Sequence, residues 1–85
     1  MEINFTQKAE EDFRYWKKTN NVIILKKVRK LLESILESPY EGIGKPEALK
    51  HTLTGAWSRR IDKEHRLVYE LIDDEIFVIS IKGHY

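Results

Sequence analysis

The chain contains no cysteine among its 85 residues, only two prolines and four glycines, and no long apolar run. Without cysteine there is no disulfide staple, no thiolate nucleophile and no thiolate metal site, which suits a reducing cytoplasm. No stretch reads as a signal peptide or a membrane span, because the start is not a basic region followed by an apolar run. A soluble, cytoplasmic protein with no membrane partner is therefore expected. An excess of one charge sign is missing too: the formal net charge is +1, which argues neither for nor against a polyanionic partner.

At this length the chain is read as one domain, 1–85, since too little is left over for a second core. Its charged fraction of 34% exceeds the roughly 25% typical of globular chains, so a small core under a heavily charged surface is expected. The distribution of charge says more than the sum. Four of the five residues from 26 to 30 are basic (Lys26, Lys27, Arg29, Lys30), and Lys45, Lys50, Arg59, Arg60, Lys63 and Arg66 outnumber the acids around them. Acid gathers instead at Glu10 to Asp12 and Asp73 to Glu75. Two basic and two acidic surfaces are expected.

Residues 2–5 alternate polar and apolar and predict a short first strand, with Thr6 as the cap of a helix over 7–18 that carries Ala9, Phe13 and Trp16 at helical spacing. Asn20 and Asn21 interrupt that pattern and can cap a second helix. Its apolar stripe runs through Ile24, Leu25, Val28, Leu31, Leu32, Ile35 and Leu36, and Pro39 ends it. From Tyr40 to Gly55 glycine and Pro46 mark a long connection with one short strand inside it; such a loop in so small a domain is usually functional. Three strands follow, over 57–62, 66–72 and 76–81, with Asp73 and Asp74 turning the second into the third. The order strand, two helices, meander predicts an α+β fold, both helices on one face of a mainly antiparallel sheet of four to five strands.

The block KPEALKHTLTGAWSRRIDKEHRLVY, residues 45–69, read with the terminal His84 and Tyr85, supplies a carboxylate, a cluster of arginines and an imidazole. Those groups suffice to cut RNA without a metal. A carboxylate takes the proton from a ribose 2'-OH, guanidiniums hold the phosphate as its charge grows, and an imidazolium protonates the departing 5' oxygen. The candidates are Glu47, Arg66 and His84. Taken singly, each has a plain structural reading: an exposed loop acid, a cross-strand ion pair, a frayed chain end. Trp16 is expected at the helix and sheet interface, with Trp57 and Tyr69 as core or edge aromatics. His51, His65 and His84 match no compact ligand spacing, so neither metal nor cofactor is expected.

The same string, from Pro46 to Tyr69, preceded by Tyr-Glu-Gly-Ile-Gly-Lys and closed by His84 and Tyr85, closely resembles the YoeB-type toxins of bacterial toxin-antitoxin modules, within the RelE/ParE superfamily. The resemblance implies a RelE-like fold and ribosome-dependent cleavage of messenger RNA in the ribosomal A site. It assigns Glu47 as general base, Arg66 as stabiliser of the phosphate and transition state, and His84 as general acid. Tyr85 would help place the RNA or complete the acid's hydrogen bonding, and Arg60 and Lys50 fall at basic positions of the same motif. On the residues alone, three readings stay open for His51: assisting the base, contacting RNA, or a structural hydrogen bond in the loop. Lys26, Lys27, Arg29 and Lys30 would anchor the protein on ribosomal RNA. The partners implied are the ribosome with its messenger RNA and a YefM-like antitoxin whose acidic segment folds on binding, with a homodimer as a further assembly. One departure stands out. Lys82 and Gly83 precede His84 where a bulkier or aromatic neighbour is expected, and whether glycine there loosens the tail is left open by the sequence. Two other functions remain open on sequence: a ParE-like toxin that binds DNA gyrase without catalysis, and a catalytically silent RNA-binding or repressor component.

Overall fold

Strand β1 spans Ile3–Phe5 and gives way at once to α1, Gln7–Lys18, because the Thr6 side chain accepts the Ala9 N–H at 3.2 Å and caps the first turn. The same hydroxyl donates to the Ile79 carbonyl at 2.9 Å, tying the cap to the far end of the chain. Helix α2, Val22–Glu37, starts at Asn21, whose side chain accepts the Ile24 N–H at 3.1 Å. Then come β2 (Glu47–Ala48), a single 3-10 turn (His51–Leu53), β3 (Ala56–Arg60), β4 (Arg66–Ile72) and β5 (Glu75–Ser80). This computed structural model describes residues 1–83; His84 and Tyr85 lie outside the described residues.

The five strands form one sheet in the order β1-β5-β4-β3-β2. Every neighbouring pair is antiparallel except β1 with β5, which run parallel in the register Ile3 to Ile76. The expected α+β class holds, and the two helices lie between β1 and the rest of the sheet in sequence. They bury Ala9, Trp16, Ile24, Val28, Leu31 and Ile35 against Leu67, Tyr69, Ile76 and Val78. Those four sheet residues alternate along β4 and β5, so a single face of the sheet takes both helices. Leu36, expected in the stripe, is instead 40% exposed.

Two charged residues assigned to surfaces are in the interior. Asp12 is 5% exposed; its Oδ1 accepts from Lys8 Nζ at 2.6 Å and its Oδ2 from the Ile81 N–H at 3.0 Å. Arg59 has no exposed area at all. Its guanidinium donates to the Tyr69 hydroxyl, to Ser34 Oγ and to the carbonyls of Ser38, Glu41 and Ile43, at 2.7 to 3.2 Å. Ser38 caps the C-terminal end of α2, where the helix dipole is negative, so the charge is met by oriented dipoles. The connection from α2 to β2 is thereby fastened to β3.

Candidate active site

The strand register gathers one set of polar side chains. Glu47 of β2 stands opposite Ser58 of β3, Ser58 opposite Val68 of β4, and Arg60 opposite Arg66. Residues directly opposite share a face and residues two apart return to it, so Glu47, Ser58, Arg60 and Arg66 all point away from the helices. Arg66 Nη1 donates to Ser58 Oγ at 2.9 Å. That hydroxyl therefore sits between the carboxylate strand and the guanidinium, and it lies in the fully buried floor of the site while Glu47 and Arg60 are exposed. The ion pair considered for Arg66 is absent among the described residues, where its side chain is held by the neutral Ser58.

The framework around this face is tied by hydrogen bonds. Arg59, one residue on from Ser58, points to the core side and holds the 38–43 segment, while the Arg60 N–H donates to the Gly44 carbonyl at 2.7 Å. Tyr69 donates its hydroxyl to the Pro39 carbonyl and accepts from Arg59 Nε at 3.1 Å. Burial raises the Tyr69 pKa above its ordinary 10.0, an effect the Arg59 guanidinium opposes. The phenol stays neutral and remains a donor. Lys50 and His51 are exposed in the loop between β2 and β3, which the Leu49 N–H closes onto the Ala56 carbonyl at 2.9 Å.

The tail runs past Arg66. Gly83 accepts from the Arg66 backbone N–H at 2.8 Å and donates its own N–H to His65 Nδ1 at 2.9 Å. Both polar groups of Gly83 are bonded, and Lys82 Nζ lies 4.2 Å from the Tyr15 ring centre. Gly83 has φ of +93°, so glycine is there for its left-handed backbone. His84 and Tyr85, expected as general acid and RNA contact, lie outside the described residues.

The basic helix divides. Lys26, Lys27 and Lys30 line one shallow depression with Ile23, whereas Arg29 turns the other way, 4.0 Å from Glu33. Lys27 also lines a cleft of about 350 Å3 with Gly44, Lys45, Arg60, Ile61, Asp62 and Lys63. The two basic surfaces expected from the sequence thus meet in one cleft, with Arg60 at the junction between it and the Glu47 and Arg66 face. Among the described residues no three His, Cys, Asp or Glu side chains converge as a metal-ligand set. No helix among them is long and apolar enough to cross a membrane.

Sequence reasoning missed Ser58, Arg59 and His65. Alternation along β3 was the available signal for the first two: Ser58 must share a face with Arg60, and Arg59 with the aromatic Trp57. For His65 there was none, because its partner is a backbone N–H remote in sequence.

Residues 5–85 match the family model of the YoeB-like toxin of bacterial type II toxin-antitoxin systems. The chain belongs to that family. It is 42% identical to the toxin YoeB of Escherichia coli strain K12 over 85 residues, the whole of both chains. Among solved structures it is similar to a YoeB-YefM complex from Staphylococcus aureus, with TM-score 0.89 and 50% identity over 98% of this chain and 95% of that one. It is also similar to a YoeB dimer from the same species, with TM-score 0.90 and 48% identity over 100% and 98%. The family's fold is therefore the one seen here, two helices on a five-stranded mixed sheet.

Proposed function

We propose that residues 1–85 form a single toxin domain that cuts messenger RNA on the translating ribosome by general acid and base catalysis. The observation that supports this best is the shared face of Glu47 and Arg66, with Ser58 opposite Glu47 in register and hydrogen-bonded to Arg66, and the chain pinned to Arg66 at Gly83, one peptide bond before His84. Glu47 takes the proton of the ribose 2'-OH as the 2' oxygen bonds to phosphorus. The bond from phosphorus to the 5' oxygen breaks, and His84 delivers a proton to that leaving oxygen. Arg66, oriented by Ser58, holds the phosphoryl oxygens as their charge grows. The products are a 2',3'-cyclic phosphate and a free 5'-OH, and DNA, lacking the nucleophile, is not cut.

Exposed Arg60, Lys50 and His51 surround this face and bind the RNA backbone, with Tyr85 placing the RNA. A protein of this size has little surface with which to hold flexible RNA in line, so the ribosome supplies the ordering, and such positioning is worth more than either proton transfer. Lys26, Lys27 and Lys30 anchor the protein to ribosomal RNA. The antitoxin partner is a YefM-like protein, as in the Staphylococcus aureus complex, and its acidic segment folds onto the basic cleft. Homodimers form as in that species' toxin, and the site of action is the cytoplasm.

The test is a translation extract in which new 5' ends on a message are mapped. Addition of the protein produces cuts at ribosome-occupied codons. Each of Glu47→Ala, Arg66→Ala and His84→Ala slows cutting by about 10²- to 10⁴-fold. An intact message with inhibited gyrase would replace this reading with a binding toxin, and undiminished cutting after all three truncations would end it.

A further inference from the structure

The tail is held by side chains from two separate elements. Helix α1 grips both backbone polar groups of Ile81: the N–H donates to Asp12 Oδ2 at 3.0 Å, and the carbonyl accepts from Trp16 Nε1 at 2.8 Å. Asp12 and Trp16 are four residues apart, so both leave the same face of the helix. Two residues on, the Gly83 N–H donates to His65 Nδ1 at 2.9 Å. Asp12 and Trp16 act three residues or more before His84 and belong to the core. His65 acts on the residue next to it.

We propose that His65 is a positioning residue for the reaction, which by accepting the Gly83 N–H sets the direction in which the chain enters His84. The inference rests on the catalytic reading above and deepens it. The turn between β3 and β4 is built to present this imidazole. Asp62 Oδ1 accepts the N–H groups of Glu64 and His65 at 2.8 and 2.7 Å, and the His65 carbonyl accepts those of Ile61 and Asp62 at 2.9 and 3.2 Å. With the backbone so fixed, the ring lies edge-on to Trp16, with centres 4.8 Å apart, and Trp16 is the same indole that holds Ile81. Nδ1 accepts from Gly83, so the proton of the neutral ring stands on Nε2, 4.0 Å from Glu64 Oε2.

Gly83 supports the same assignment. Among the described residues a Cβ there would meet nothing within 4 Å, whereas φ of +93° favours glycine. That backbone conformation aims the N–H at His65 while the carbonyl takes the Arg66 N–H. Catalysis loses about 10²-fold for an ångström of misplacement, so one such bond next to the general acid matters.

Two replacements separate positioning from packing. His65→Asn offers a carbonyl oxygen near the Nδ1 position but no ring for Trp16; His65→Phe keeps the ring and removes the acceptor. Hydrogen exchange of the Gly83 amide, followed by NMR, is expected to speed up about tenfold or more in His65→Phe and to stay within about threefold of wild type in His65→Asn. Message cutting at saturating ribosomes is expected to fall about 10- to 100-fold in His65→Phe, with apparent KM unchanged, and to be largely restored in His65→Asn. If Phe is as active as wild type and Asn is the weaker, the side chain only packs and the proposal fails. Unchanged Gly83 exchange in His65→Phe overturns it equally. Because exchange is read without any substrate, it judges the latch even if wild-type protein cuts no RNA, the result that would instead remove the catalytic reading.

Discussion

Arg59 and Arg60 are neighbours of identical chemistry with opposite fates. One has no exposed area and spends its guanidinium on five neutral oxygens; the other is exposed on the face it shares with Glu47 and Arg66. Strand alternation forces the split, and the residue it sends inward becomes the clamp for the segment that leads to β2. Tyr69 completes that clamp and gives it a pH signature. Burial holds the phenol's pKa above its ordinary 10.0, so the folded chain keeps this proton to higher pH than the unfolded chain does. The stability contributed is fully present below about pH 10 and is lost as pH rises through the higher folded value. Tyr69→Phe leaves the Pro39 carbonyl and Arg59 Nε short of a partner and is expected to cost about 1–3 kcal/mol near neutrality. Urea unfolding of both proteins checks this, and the gap between them should shrink steadily above pH 10. A gap constant to pH 11 would place the phenol in an ordinary environment.

Elements differ in how plainly they were written into the sequence. Both helices were legible because caps and periodic apolar positions are local, and Thr6 and Asn21 do cap them. The parallel pairing of β1 with β5 was not, because a three-residue strand carries no mark of which distant edge it will join. Glu47, Arg60 and Arg66 could be named from the motif, but their common face depends on register, and Ser58 entered only with it. The two caps also predict unequal costs. Asn21→Ala removes one cap bond and should destabilise by about 1 kcal/mol. Thr6→Ala removes a cap bond and also the donor to the Ile79 carbonyl, which joins α1 to β5, so a larger loss of about 2 kcal/mol is expected. Denaturant midpoints with matched slopes decide it; equal losses would mean that the Ile79 bond adds nothing.

On the scale of the whole molecule, the formal charge of +1 hides a polarised surface. Folding brings Lys27 of α2 against Lys45, Arg60 and Lys63 in a single cleft beside the Glu47 and Arg66 face, although Lys27 is far from the others in the chain. A polyanion meets a local field there that the sum of charges does not reveal. Binding that rests on phosphate contacts weakens with salt as counterions return, and each contact adds about 0.7 to 0.9 to the slope of log affinity against log salt. Lys45→Ala and Lys63→Ala should therefore each weaken association with a single-stranded RNA and lower that slope by about one contact's share. Lys18→Ala, at the exposed end of α1, should leave both unchanged. Filter binding between about 50 and 200 mM salt measures the slopes. If the cleft variants and the α1 variant prove alike, RNA is held by diffuse charge over the whole surface, and the meeting of the two basic stretches has no bearing on substrate capture.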